Sequence, residues 1–297
     1  MRHNEARDHD PGDPTRPECF TGNTSEPRIR QSPGFAVVTR IITVANQKGG
    51  VGKTTSTVNI AAAAAQTGLR VLVIDLDPQG NASTALGAEH REGTPSVYDV
   101  LTGERRLVDV IQPCPDVPSL WTAPATIDLA GAEIELVALV AREYRLARAV
   151  EALLGEQEFD LVFLDCPPSL GLLTLNGLVA ASEVLLPIQC EYYALEGLSQ
   201  LLRTIEMVRT HLNPRLEVGA ILLTMYDGRT RLASQVAQEV RTHFGAQVID
   251  TVIPRSVRVS EAPSYGQTVV TYDPASPGAI AYREAAAQVV ALVPSST

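Results

Sequence analysis

No stretch of 18 uncharged apolar residues occurs in this 297-residue chain, so no membrane-spanning helix is expected. A basic start followed by an apolar run is missing as well, and with it the mark of a secretory leader. Cysteine is scarce. Cys19, Cys114, Cys166 and Cys190 stand far apart, without the spacing of a metal site, and read as reduced thiols of a cytosolic protein. Positive charge is in deficit: 24 Lys and Arg against 34 Asp and Glu, a formal net charge of −10. That balance argues against wholesale coating of nucleic acid but leaves room for a local basic patch. What is present is a globular composition, 45% hydrophobic, long enough to bury a sizeable core.

Residues 1–36 hold almost no large apolar side chains, and their five Arg nearly balance six acidic residues. Such a segment cannot bury enough surface to offset ordering, so a disordered tail is expected. A single folded domain is expected over 37–293, with a short tail over 294–297. Apolar runs mark strands at 40–45, 70–75, 119–123, 159–165, 184–188, 218–224 and 248–253. Helical stretches lie between them, directly after the first strand and over 96–101, 129–155 (broken near the middle), 195–212, 232–244 and 279–293. Continuous apolar strands alternating with helices predict an α/β fold, a doubly wound and mostly parallel sheet with helices on both faces.

The chain is organised around Lys48-Gly49-Gly50-Val51-Gly52-Lys53-Thr54-Thr55, which leaves the first strand and enters the first helix. Strand, glycine loop and helix together hold a polyphosphate, through converging loop N–H groups and a helix N-terminus. Lys53 adds a full positive charge, and Thr54 is placed to give its hydroxyl to magnesium. The plain phosphate-loop pattern is not met, because Gln47 stands where its first glycine belongs. Instead the loop carries a second lysine, Lys48.

A magnesium partner is expected from a neighbouring strand. Asp165 ends the run Leu161-Val162-Phe163-Leu164, which puts a carboxylate at the sheet's carboxyl edge. The segment that follows, Cys166-Pro167-Pro168-Ser169-Leu170-Gly171, has the composition of a loop that is re-aimed when a γ-phosphate leaves. The second strand ends Asp75-Leu76-Asp77-Pro78-Gln79-Gly80-Asn81, and carboxylates at i and i+2 of a strand point to one side. Asp75 would steady the magnesium shell or the loop, and Asp77 could orient the attacking water.

These motifs, with Cys190-Glu191-Tyr192-Tyr193-Ala194-Leu195-Glu196-Gly197-Leu198, Leu223-Thr224-Met225-Tyr226-Asp227-Gly228-Arg229-Thr230 and 253–263, together resemble the ParA/Soj family. These are chromosome- and plasmid-partitioning ATPases of the MinD-like deviant phosphate-loop group, and the resemblance covers about 37–293. It implies an ATPase using ATP and Mg2+, slow alone and stimulated by a ParB-type centromere-binding partner. It further implies a nucleotide-sandwich homodimer in which Lys48 reaches the partner's ATP phosphates. Within the subunit it assigns phosphate binding to Lys53 and Thr55, magnesium to Thr54 and Asp165, and support of hydrolysis to Asp77. Pro254 and Arg255 are expected near the adenine. Family members bind double-stranded DNA nonspecifically, and the matching positions are Arg229 and Arg258, in a region with five Arg against three acidic residues. A cytoplasmic, nucleoid-associated protein is therefore expected, of the short kind without an operator-reading domain.

Rival readings share the loop. A MinD-type membrane-cycling ATPase would end in a basic amphipathic helix, whereas no Lys or Arg follows Arg283. An iron–sulfur carrier would need paired cysteines. A non-enzymatic nucleotide-binding scaffold is disfavoured because Lys53, Thr54, Asp77 and Asp165 are all present.

Overall fold

The computed structural model describes residues 39–191 and 196–292, with the side chains of residues 196 and 197 left aside. The expected tails at 1–36 and 294–297, and the centre of the Cys190–Leu198 motif, lie outside the described residues. The strands are β1 (Arg40–Val44), β2 (Val71–Asp75), β3 (Gln112–Pro113), β4 (Leu120–Ala123), β5 (Leu161–Asp165), β6 (Glu183–Gln189), β7 (Glu217–Tyr226) and β8 (Val248–Pro254). Between and after them run α1 (Lys53–Gln66), α2 (Asn81–Ala85), α3 (Val97–Thr102), α4 (Leu129–Val137), α5 (Arg145–Glu156) and α6 (Leu172–Ala180). The carboxyl half adds α7 (Glu196–His211), α8 (Arg231–Phe244), α9 (Val257–Glu261), α10 (Val269–Tyr272) and α11 (Pro277–Ala291).

The strands form one sheet in the order β3-β4-β2-β5-β1-β6-β7-β8. All neighbours are parallel except β3, which pairs antiparallel with β4 at the edge. Alternation along each strand divides the core into two layers. Leu72, Ile74, Val162 and Leu164 face the layer that includes side chains of α3 to α8. Val71, Val73, Leu161 and Phe163 face the layer built with α1 and α11. Both faces being covered explains why these strands read as unbroken apolar runs.

Helix α1 is buried almost all round. Ala61 to Ala65 let it lie close to the sheet while α11 covers its other side. Tyr282 of α11, fully buried, brings its hydroxyl to 3.4 Å from that of Ser56. Every strand expected from the sequence is present; β3, the nine-residue α6 and the short helices α2, α9 and α10 are additions.

At the opposite end of β1 from the glycine loop, Arg40 forks onto Glu183 of β6 at 2.7 and 2.8 Å. Its guanidinium also caps the carbonyls of Val289 and Val290 at the end of α11. Glu183 is 3% exposed, so removing the arginine strands a buried carboxylate. Arg40→Ala is expected to destabilise the protein by about 3 kcal/mol, measured as a lower midpoint in urea-induced unfolding.

Candidate functional site

Parallel strands place their following loops along one edge, and the loops after β1, β2 and β5 meet there. They form a cleft of about 490 Å³ lined by Gly49, Gly50, Gly52, Lys53, Thr54, Thr55, Asp77 and Pro168, among others. The loop after β1 owes its shape to Gly50 and Gly52, at φ 73° and 87°, a backbone region that glycine adopts without strain. It is anchored to two strands, β7 and β6. Val51 is buried and its carbonyl accepts from the Thr224 hydroxyl of β7 at 2.8 Å. Asn46 accepts from the Lys48 amide at 3.0 Å and donates to the Pro187 carbonyl at 2.7 Å.

Helix α1 starts at Lys53 with no side chain capping its first turn. Its leading N–H groups therefore open onto the cleft as an anion-binding end. Lys53 is 7% exposed, and its ammonium donates to the Lys48 carbonyl at 3.3 Å. Burial pulls its pKa down, against the attraction of Asp165 and Asp77. Lys48 behaves differently. Its side chain is 38% exposed and its ammonium meets Glu191 at 3.2 Å, outside the set of residues lining the cleft.

Behind the loop, Asp75 and Asp165 pair in register at the carboxyl ends of β2 and β5, both wholly buried. Burial, and the charge of Asp75 after it, raise the Asp165 pKa; the Thr57 and Thr54 hydroxyls act the other way. Burial likewise raises that of Asp75. Asp165 Oδ1 accepts from Thr57 at 2.7 Å, while its Oδ2 is buried with no hydrogen-bond partner of good geometry. A buried, half-satisfied carboxylate beside the Thr54 hydroxyl suits a hard divalent cation that brings further oxygen ligands with it.

Asp75 bonds to groups of its own loop and of α2. Its Oδ2 accepts from the Ser83 amide and hydroxyl at 2.9 and 2.7 Å, its Oδ1 from the Asp77 amide at 3.1 Å. It braces the loop and does not line the cleft. The expectation that Asp75 and Asp77 share one side of a strand needs correction, because β2 ends at Asp75 and Asp77 stands in the following turn. Asp77 lines the cleft nonetheless, and its Oδ1 accepts from the Gln79 amide at 3.0 Å.

Pro254 and Arg255 line a second pocket of about 210 Å³ that adjoins the cleft at Gly52 and Thr55. Met225, held at φ 50°, lines both cavities. Arg229 and Arg258 lie apart from the cleft lining. Arg229, 88% exposed, forks onto Asp227 at 2.7 and 2.8 Å. Arg258 meets Glu261 at 3.1 Å and Asp273 at 3.4 Å. Thr57, Ser83 and Thr224 carry no sequence signal of their roles. Each is an ordinary helix or strand residue whose partner lies in a different part of the fold.

The AAA domain family model matches residues 39–218. The sporulation initiation inhibitor protein Soj of Bacillus subtilis is 53% identical over 85% of this chain and 98% of its own length. The chromosome partitioning protein ParA of Caulobacter vibrioides is 52% identical over 84% of this chain and 94% of its own. This chain belongs to the Soj/ParA family. A Mycobacterium smegmatis structure, described as cobyrinic acid a,c-diamide synthase with bound ATP analogue and magnesium, superposes with a TM-score of 0.73. It is 43% identical, over 84% of this chain and 93% of that one.

Ser83 is the residue through which this Soj/ParA site ties α2 to the sheet. Its hydroxyl donates to Asp75 and accepts from the Ala125 amide at 3.0 Å. Ser83→Ala removes both bonds around a buried carboxylate, and a loss of about 2 kcal/mol is expected. Chemical denaturation of the purified variant measures it.

Proposed function

We propose that this chain is a chromosome-partitioning ATPase whose ATP-bound form is a sandwich homodimer. The observation that carries the reading is the division of labour between two lysines of one loop. Lys53 is tucked beneath the loop, while Lys48 reaches outward to Glu191 and leaves the cleft lining. A cation so placed is useless to its own cleft and available to one facing it.

The roles follow from position. Loop amides, the α1 N-terminus, Lys53 and Thr55 hold the phosphates of ATP, with Pro254 and Arg255 flanking the base. Thr54 and Asp165 hold Mg2+, which when bound neutralises developing phosphate charge. Asp77, anchored through its amide to Asp75, orients the water that attacks the γ-phosphate to give ADP and phosphate. Lys48 of each chain contributes charge to the other's phosphates. Hydrolysis removes the charge that both chains grip, so the dimer loses its differential stability. A ParB-type centromere-binding protein stimulates that step, and the dimer binds duplex DNA nonspecifically through Arg229 and Arg258 on the nucleoid. The partition name of the Caulobacter vibrioides relative, at 52% identity, supports this reading over the synthase name.

The membrane-cycling alternative is less favoured. That reading needs a terminal helix whose apolar face is free to lie on lipid. The apolar face of α11 is already used, with Ala279, Tyr282, Ala285 and Val289 buried in the core.

Size-exclusion chromatography of Asp77→Ala with ATP tests the central claim: a dimer is expected, and a monomer with and without duplex DNA overturns it. Lys53→Ala is expected to lose nucleotide binding. Lys48→Ala is expected to keep binding yet lose hydrolysis, and isothermal titration beside a phosphate-release assay separates the two. Arg258→Glu should abolish ATP-dependent retention of DNA with ATP binding intact. Affinity for DNA should fall by roughly 0.9 log units per log unit of salt for each phosphate contact, read from filter binding at several salt concentrations.

A further inference from the structure

Helix α4, Leu-Ala-Gly-Ala-Glu-Ile-Glu-Leu-Val, is apolar on both faces. A helix of that kind is normally buried all round. Here only one side is: Leu129, Ala132 and Leu136 enter the core. Toward solvent, Ile134 is 80% exposed and Val137 58%, with Ile127 at 60% before the helix and Val140 at 88% after it. The two charges of the helix do not relieve this. Glu133 accepts from the Leu173 amide at 3.4 Å, and Glu135 accepts from the Tyr98 hydroxyl at 3.0 Å. Elsewhere among the described residues, exposed Met207, Leu232 and Ile280 stand one to a helix. A cluster of four marks an interaction surface.

We propose that this strip is covered by a second copy of the same chain, as the apolar core of the dimer interface; the inference rests on the sandwich reading above. Three observations point to that occupant. The strip adjoins the nucleotide site: α4 follows the carboxyl end of β4, and Glu133 accepts from an amide in the first turn of α6, the helix that follows the loop whose Pro168 lines the cleft. The segment leading into α4 is also tied to the brace, through the Ala125 amide on Ser83, which binds Asp75. The cleft itself carries charge, with Lys53 and Asp77 among its lining residues, whereas the strip presents only apolar side chains of the charge-depleted kind found at the core of stable interfaces. Finally, a strip of Ile and Val is self-complementary, as a two-fold interface requires of its surface.

The test is the ATP-dependent monomer–dimer equilibrium of Asp77→Ala, measured by sedimentation velocity across protein concentration, with and without Ile134→Glu. The dissociation constant is expected to rise at least tenfold. Binding of a fluorescent ATP analogue to the monomer and the melting temperature should stay unchanged. Val140→Glu, outside any helix, gives the same test should Ile134→Glu fold poorly. If Asp77→Ala alone stays monomeric with ATP, the sandwich reading and this one both fall. If it dimerises and the charged variants dimerise equally well, only this assignment falls. Unchanged dimerisation with lost binding of another protein makes that protein the occupant, and overturns the proposal too.

Discussion

Asp75 and Asp165 lie side by side on neighbouring strands, out of water, and the site is built around holding them there. Each carries a burial cost, and their mutual repulsion adds to it. The protein offsets this with polar groups aimed at them: Ser83 and the Asp77 amide on one, Thr57 on the other. Lys53 sits close enough to both Asp165 and Asp77 to feel their charge. Compensation is incomplete, since one oxygen of Asp165 stays without a partner. An arrangement that leaves a buried negative charge half-satisfied is one that a cation completes, and the Thr54 hydroxyl beside it points to where that cation belongs.

The same pair explains why loops from separate strands act together. Asp75 does not need to touch a nucleotide to matter. Through the Asp77 amide it fixes the turn that carries the cleft-lining carboxylate, and through Ser83 it fixes α2 and the approach to α4. Displacing any of these exposes or unpairs a buried charge, so the loop after β2 is held stiffly. Stiffness there suits the water-orienting role proposed for Asp77.

Much of this was legible in the residues. β1, β2 and β5 are unbroken apolar runs because both sheet faces are covered, and their order alongside the glycine loop follows from the parallel fold. β3 was not legible: two residues, one of them Pro113, make no pattern, and it pairs only because β4 presents an edge. α2, α9 and α10 span four or five residues, too few to show a helical period. Within the site, Gly50, Gly52, Lys53 and Asp165 announce themselves by type and position. Thr57, Ser83 and Thr224 do not, since a threonine one turn into a helix looks the same whether it faces solvent or a carboxylate 108 residues away. The placement of Asp75 and Asp77 on one strand face failed for a related reason: strand alternation holds only while the strand lasts, and β2 stops between them.

The surface arginines raise a different question of balance. Arg229 is forked onto Asp227, which lowers the Asp227 pKa to about 2 through the two bonds to the guanidinium. Arg258 is flanked by Glu261 and Asp273. On a chain of net charge −10, such paired cations offer DNA only what remains after the acids take their share, and each exposed pair is worth little by itself. Binding through them must therefore be collective. In the proposed sandwich dimer, two copies held by shared nucleotide would present twice the contacts at a fixed spacing, and the second engagement would become intramolecular. On that proposal, control over dimerisation would be control over DNA binding without any change at the arginines themselves.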